Sequence, residues 1–293
     1  MNFTHFCLAL LVVCIWGFNF VAVRVCLDGV PPLFLVTLRF LLLSLPAVFF
    51  IKRPKTSLTK LTLYGLIMFA FQFGLLFVGM YLGIAPGIAS LILQIQVFFT
   101  VVFGFVFFQE RPSLFQFGGC FISFIGLGIV AMHLQGNVSL GGFILIMASA
   151  LCSSLGSFVS KKMGKINTFS LVIWGSLIAW PPILLLSLHL EGYEAIRYAI
   201  AHLKPLSIAA IFYITYGSTL VGYGLWSYLI HHYPLTTMGP FMVLVPIVAI
   251  TGSVLCLGEP LQTWKILAAF FVIGGLSLNF FAKKISAYVK LVR

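Results

Sequence analysis

Residues 61–108 read LTLYGLIMFAFQFGLLFVGMYLGIAPGIASLILQIQVFFTVVFGFVFF and contain no charged side chain. A helix of about 20 apolar residues crosses the hydrocarbon core of a bilayer, so this stretch is long enough for two such helices. We divide it into apolar runs at 61–83 and 87–108. Two successive membrane-spanning helices are therefore predicted here, and the rest of the chain is read outward from them.

The composition of the whole chain indicates the same class of protein. Of its 293 residues, 61% are apolar and 8% are charged, against roughly 25% charged residues in an average soluble domain. The net charge of +12 raises the question of nucleic acid, but the basic residues lie in short breaks rather than in a stripe along one face. We expect a lipid bilayer as the surroundings and no nucleic-acid partner.

The apolar runs predict an all-α integral membrane protein with ten transmembrane helices. No basic residue precedes the first run, which is longer than the apolar part of a signal peptide, so we interpret it as a retained helix. The runs fall at residues 3–25, 32–51, 61–83, 87–108, 114–132, 140–160, 168–188, 206–230, 236–257 and 262–282.

Basic residues are divided unevenly between the two sides of the predicted bundle. Twelve lie on the side of the termini: Lys52, Arg53, Lys55, Lys60, Arg111, Lys161, Lys162, Lys165, Lys283, Lys284, Lys290 and Arg293. The opposite side has Arg24, Arg197, Lys204 and Lys265. Because cytoplasmic loops carry the excess of Lys and Arg, this predicts that both termini are cytoplasmic.

Short sequence similarities suggest an internal repeat. Residues 16–24 align with 154–162, each with a Phe-Val pair before basic residues, and Gln109-Glu110-Arg111-Pro112 resembles Leu257-Gly258-Glu259-Pro260. The order predicts two five-helix domains, at 1–133 and 138–293. Because five is odd, the second repeat is inverted, which is an architecture typical of alternating-access transporters. Similarity common to all apolar helices remains the alternative.

Arg39 is the charged residue placed deepest in an apolar run. It lies about 10 Å below the predicted membrane edge at 1.5 Å per residue. Charged residues inside membranes usually face the bundle interior or a water-filled cavity. Arg39 is therefore a candidate for binding a substrate carboxylate, with capping of neighbouring carbonyls as the alternative.

Other polar and aromatic residues within the runs are further candidates for substrate binding. Close helix packing and interhelical hydrogen bonds are the alternatives. The candidates besides Arg39 are Trp16, Asn19, Gln72, Ser90, Gln94, Ser157, Trp174, Tyr216 and Tyr223.

Gln94 and Gln96 present a choice within one helix. Two residues correspond to about 200° around a helix, so both side chains are not expected to face one cavity. Gln94 shares a face with Ser90, whereas Gln96 shares one with Thr100. We assign Gln94 to the cavity and Gln96 to helix packing.

The residues that carry most enzyme chemistry do not form a recognisable site. The six cysteines have no metal-ligand spacing, the six histidines lie near helix ends, and no phosphate-binding glycine loop occurs. Glu110 and Glu259 precede helix starts, and Ser113-x-x-Gln116 has the form of a capping box. We predict no enzyme, metal site or cofactor.

The chain resembles the EamA branch of the drug/metabolite transporter superfamily over nearly its whole length. The resemblance lies in Trp16-Gly17-x-Asn19-Phe20, Leu38-Arg39-Phe40, Ala89-Ser90-Leu91 with Gln94-x-Gln96, Glu110-Arg111, Val221-Gly222-Tyr223-Gly224, and Leu244-Val245-Pro246 with Gly258-Glu259. It implies two five-helix domains and a multi-pass protein of the bacterial inner membrane. Within the family, the chain most strongly resembles exporters of cysteine and O-acetylserine.

The expected function is export of a small zwitterionic or anionic metabolite by alternating access. No acidic residue lies near the middle of an apolar run, which disfavours a carboxylate-based exporter of lipophilic cations. A carrier of sugars or nucleotide-linked metabolites shares the fold and stays open as an alternative, and a membrane-embedded enzyme is a weaker one. A small-molecule substrate is the expected partner; a homodimer is compatible with the sequence but unproven.

Overall fold

The protein, seen here as a computed structural model, is described for residues 1–109, 112–134, 138–164, 166–233 and 235–292. Within these ranges its regular structure is helical and includes no β-strand. The long helices are α1 Phe3–Leu27, α2 Pro32–Val48, α3 Leu58–Tyr81, α4 Pro86–Phe107, α5 Leu114–Ala131, α6 Leu140–Lys162, α7 Thr168–Leu190, α8 Pro205–His232, α9 Thr237–Leu257 and α10 Thr263–Val292. A short helix, Tyr193–Ala201, lies between α7 and α8.

Helix lengths and surfaces fit an integral membrane protein. Nine of the described helices are long and apolar enough to cross a membrane, and α2 is a shorter apolar helix of 17 residues. Large apolar side chains are exposed along the helices, including Leu185, Leu255 and Phe270 at 68%, 76% and 71%. Lipid rather than water therefore surrounds them.

Two helix ends differ from the predicted runs. α2 ends at Val48 rather than near residue 51, because Pro46 in its last turn cannot donate a backbone hydrogen bond. α10 continues to Val292, so the basic residues at 283–290, predicted to form a tail, belong to a helix. Four charged residues used in the sequence argument lie outside the described residues: Glu110, Arg111, Lys165 and Arg293.

Specific side chains fix where helices begin. The capping box predicted at Ser113 and Gln116 is confirmed, because each side chain accepts a hydrogen bond from the other residue's backbone N–H. The N-terminus of α2 is held by a distant residue. The Glu191 carboxylate accepts from the N–H groups of Leu33 and Phe34 at 2.7 and 3.0 Å. The end of α7 is thereby joined to the start of α2.

Several helices are irregular in the middle. α3 has a π-helical segment at Gly65–Phe71, and α8 has one at Tyr213–Val221. α4 is interrupted after Leu93 and resumes at Gln96, and α9 is interrupted after Met242 and resumes at Val245. Irregular backbone within a membrane is tolerated where it is covered by protein or lines a cavity.

The helix irregularities occur in the same order in the first and second parts of the chain. α3 and α8 each precede an interrupted helix, and the segments after the two interruptions end in a left-handed residue, Gln109 (φ 52°) and Gly258 (φ 67°). The contacts between helices are reciprocal in the same way. α1 packs against α8 and α9, and α6 packs against α3 and α4, while α2 packs on α7 and α5 on α10.

Candidate functional site

A cavity of about 420 Å³ lies between helices from both halves of the chain, within the ~300–1,000 Å³ usual for small-molecule sites. It combines polar side chains with aromatic and aliphatic ones. The lining includes Trp16, Asn19, Arg39, Met68, Gln72, Phe73, Ser90, Gln94, Gln96, Thr100, Ser153, Ser157, Ser218, Tyr223, Trp226, Met242 and Phe280.

Arg39 is held rigidly on the wall formed by α2. Its Nε–H donates to Thr219 Oγ1 at 3.1 Å, and its Nη1–H donates to Asn19 Oδ1 at 3.3 Å. The guanidinium carbon lies 4.5 Å from the centre of the Phe73 ring, which is within range of a cation–π interaction. The group is therefore oriented from three sides by α1, α8 and α3.

Arg39 lacks a carboxylate partner among the described residues. The residue is 1% exposed, and the described acidic residues stand at or just beyond helix ends: Asp28, Glu191, Glu194 and Glu259. A guanidinium has five N–H donors, and the protein bonds described for Arg39 use its Nε and Nη1 atoms. The remaining donors have no described protein partner, and since the side chain is almost fully buried, an anion in the cavity would reach them after a neighbouring side chain moved.

An aromatic cluster forms another wall of the cavity. The ring centre of Trp16 lies 5.4 Å from that of Tyr223 and 5.5 Å from that of Trp226. The Trp16 indole N–H donates to Ser218 O in the π-helical segment of α8 at 3.1 Å. Gly222 permits this approach, since a Cβ there would lie 2.6 Å from Trp16 Nε1.

Gln94 and Gln96 both line the cavity, so the expectation that only Gln94 would do so is wrong. The assumed 100° per residue does not hold because α4 is interrupted between Leu93 and Gln96. Gln96 Oε1 accepts from Ser153 Oγ at 2.6 Å, and Gln94 Nε2 donates to Met242 O at 3.4 Å. The interruption thus places two amides at one site.

The remaining candidates on the first-half helices and α6 also reach the cavity. Gln72 follows the π-helical segment of α3, and its Oε1 atom is buried without a hydrogen-bond partner. Ser90 Oγ donates to Gly87 O at 2.6 Å within α4, and Ser157 lies on α6. Gln72 thus carries an unpartnered acceptor that is enclosed by protein, whereas the Ser90 hydroxyl proton is already used.

Trp174 and Tyr216, also proposed as substrate-binding residues, do not line this cavity. Trp174 Nε1 donates to Ile51 O at 2.9 Å, just beyond α2. Tyr216 donates its hydroxyl to Leu42 O at 3.0 Å. Leu42 is four residues before Pro46, so its carbonyl has lost its usual helical donor. Both side chains instead support the end of α2.

Sequence reasoning misses several of the lining residues. Regular helix geometry assigns Gln96 and Thr100 to packing, and Met68, Met242 and Phe280 carry no distinctive signal in a chain rich in apolar residues. In the motif Leu244-Val245-Pro246, Pro246 cannot donate a backbone hydrogen bond, so it is a sequence signal for irregular backbone near Met242.

Variants of two tyrosines on α8 test which of them acts in the cavity and which stabilises the end of α2. We expect Tyr223→Phe to lower the transport predicted from the sequence roughly three- to tenfold, because the substrate would lose one neutral hydrogen bond from the Tyr223 hydroxyl, worth about 0.5–1.5 kcal/mol. Thermal stability should stay unchanged. Tyr216→Phe should show the opposite pattern, since Leu42 O loses its donor while the cavity keeps its lining. Initial transport rates and unfolding temperatures of both purified variants check this, and equal behaviour would contradict it.

The fold and the cavity together define a multi-pass membrane protein of the transporter class. The sequence profile of the EamA-like transporter family matches residues 4–132 and again residues 140–281. The chain belongs to this family, and it is a transporter rather than an enzyme.

Two named bacterial relatives agree with this class. A protein of Salmonella typhimurium named "Probable amino-acid metabolite efflux pump" is 38% identical over 284 residues, covering 95% of each chain. One of Escherichia coli with the same name is 37% identical, covering 97% of each chain. A solved crystal structure matches with a TM-score of 0.66 at 14% identity, over 97% of this chain and 99% of that one. This last likeness concerns the fold alone.

Proposed function

We propose that this protein exports small amino-acid-type metabolites, such as cysteine and O-acetylserine, across the bacterial inner membrane by alternating access. The observation that carries the proposal is Arg39, a buried guanidinium with unused donors on the wall of a 420 Å³ cavity. The names of the Salmonella typhimurium and Escherichia coli relatives support the substrate class.

The cavity offers complementary groups to a zwitterion. A substrate carboxylate would accept charge-assisted hydrogen bonds from the free N–H groups of Arg39. A substrate ammonium would lie against the faces of Trp16 and Tyr223, and Gln72 would accept a hydrogen bond from it once its buried Oε1 had turned toward the cavity. The volume is near the lower end for ligand sites, which favours a small metabolite over a nucleotide-linked one.

We further propose ten membrane spans in two inverted five-helix domains, 1–133 and 138–293, with both termini in the cytoplasm. The repeated order of a π-containing helix, an interrupted helix and a left-handed end supports this arrangement. The reciprocal packing of α1 on α8 and α9, and of α6 on α3 and α4, supports it also. Inverted repeats exchange conformations around a site near the midplane.

The interrupted and π-helical segments would provide the movable parts of the cavity. Gln94 and Met242 lie at the interruptions of α4 and α9, and Ser218 lies in the π-helical segment of α8. All three line the cavity. A change in backbone geometry at these segments would therefore alter the cavity directly, without unfolding the long helices around it.

An export assay in cells tests the function. We expect cells that overproduce the protein to accumulate extracellular cysteine-pathway metabolites above vector-only cells, with other amino acids measured in the same samples. The Arg39→Met variant, produced at the same level in the membrane, serves as the control that keeps side-chain volume but removes charge.

Proteoliposomes loaded with one metabolite at a time then identify the substrate. Efflux of O-acetylserine or cysteine, without efflux of sugars or nucleotide-linked metabolites, is the expected result. Efflux of sugars alone would replace the proposal with the alternative carrier. Substrate-dependent proton release driven by a hydrophobic cation would overturn it in favour of cation antiport.

A further inference from the structure

A second cavity, of about 400 Å³, lies at the level of the helix ends rather than within the bundle. Its walls are the segment that follows α2 and the start of α7. The lining residues are Phe50, Ile51, Lys52, Arg53, Pro54, Lys55, Ile166, Asn167, Phe169 and Ser170. We call this cavity the basic pocket. It shares no lining residue with the 420 Å³ cavity.

Three cationic side chains, Lys52, Arg53 and Lys55, supply the charge of the basic pocket, and each residue is exposed. None of the three forms an ion pair with a described acidic residue. Arg53 makes one long contact, from Nη2 to Thr56 O at 3.4 Å. Their charges are therefore not neutralised within the described protein.

The side-chain oxygens of Asn167 and Ser170 on the opposite wall are already bonded within the protein. Asn167 Oδ1 accepts from the N–H of Ser170 at 3.0 Å, and Ser170 Oγ donates to Lys52 O at 2.6 Å. A neutral polar ligand would find few free partners there. The groups left for a ligand are the three cations and the Asn167 amide N–H groups, all of them donors, which select an anion.

Exposed aromatic side chains lie next to the cations in the chain. Phe49 and Phe50 are 80% and 85% exposed immediately after the end of α2. Phenylalanine rings at a membrane boundary pack against the upper parts of acyl chains. An amphipathic anion, rather than a small soluble one, fits cations and exposed aromatic rings at the same place.

We propose that the basic pocket binds the phosphate headgroup of an anionic phospholipid, with the acyl chains lying against Phe49 and Phe50. Basic pockets at helix ends are suited to such headgroups. Bound lipid would join the end of α2, which carries Arg39, to the start of α7. Anionic lipid is thereby assigned as a specific partner of this protein, separate from the transported substrate.

Native mass spectrometry of the purified full chain in neutral detergent tests the proposal. We expect phosphatidylglycerol to bind at least about tenfold more tightly than phosphatidylcholine with the same acyl chains, since each cation near an anionic lipid contributes roughly fivefold. The triple variant K52Q/R53Q/K55Q should lose this preference. The side-chain changes leave the backbone bond from Ser170 Oγ to Lys52 O in place.

Matched variants distinguish the basic pocket from general charge. R197Q/K204Q/K265Q removes the same number of charges elsewhere and should keep the preference, as should K52R/K55R. Equal loss in R197Q/K204Q/K265Q would overturn the proposal. Inorganic phosphate is the competing probe: displacement of the lipid at equimolar phosphate would assign the basic pocket to soluble phosphate instead. Since lipid binding is measured without transport, failure here leaves the export proposal unaffected.

Discussion

Replacement of Arg39 by methionine is expected to lower the transport of carboxylated metabolites at low substrate concentration at least tenfold while the protein still folds. A charged hydrogen bond contributes about 1.5–3 kcal/mol, so removing one such bond to the substrate weakens its apparent affinity roughly 10- to 150-fold. Methionine fills similar volume against Phe73 without a charge. Initial rates of efflux from proteoliposomes over a range of substrate concentrations measure the effect.

Stability separates a functional Arg39 from a structural one. Arg39 has no acidic partner among the described residues, so methionine removes the desolvation cost of an unpaired buried charge, which offsets the loss of the hydrogen bonds to Thr219 and Asn19. Arg39→Met should therefore unfold at the same temperature as the parent or higher. A lower unfolding temperature together with lowered transport would identify Arg39 as a bundle-stabilising residue and contradict its proposed role.

Two further arginine variants complete this test. Arg39→Lys keeps the charge but loses the planar group that bonds Thr219 and Asn19 together. We expect it to transport more slowly than the parent but faster than Arg39→Met. Arg24→Met is the matched control, because Arg24 pairs with Asp28 at 3.2 Å at the end of α1, away from the cavity lining.

Replacement of Gly275 by alanine is expected to destabilise the packing of α5 on α10. A Cβ at Gly275 would lie 2.6 Å from Ser123 N and would also meet Gly119 O. Because backbone atoms cannot move aside as a flexible side chain does, the cost should reach the upper part of the ~1–3 kcal/mol range for overpacking. Thermal unfolding in detergent should show a drop of several degrees.

The neighbouring glycine gives the matched control. A Cβ at Gly274 would have nothing within 4 Å, so Gly274→Ala should leave stability unchanged or slightly raised, since alanine favours the helix by up to about 1 kcal/mol. Equal destabilisation by both substitutions would show that helix flexibility, rather than contact between α5 and α10, determines the result.

The course of the helices is largely predictable because bilayer thickness sets their length. Apolar runs locate the long helices to within a few residues, and Pro46 explains why α2 ends early. The extension of α10 to Val292 is not predictable from hydropathy, because basic residues continue the helix beyond the apolar run. The assignment of the two sides of the membrane stays a prediction, since it rests on charge counts alone.

The site is harder to predict than the helices because the prediction assumes regular helix geometry. That assumption separates Gln94 from Gln96, although the interruption of α4 brings both to the cavity. It also groups Tyr216 with Tyr223 on α8, whereas a π-helical segment, Tyr213–Val221, lies between regular turns of that helix. The contact of Tyr216 with Leu42 depends on α2 and α8 meeting, which no local pattern contains.

The reciprocal packing of α1 and α6 affects how the chain matures during synthesis. α1 is among the first segments to leave the ribosome, yet α8 and α9, on which it packs, are made near the end. Arg39 likewise meets Thr219 only after α8 has been inserted. The first five helices therefore lack their packing partners in the bilayer until the later helices are inserted. A truncated transcript that encodes only these five helices yields a bundle without those contacts rather than half of a working protein.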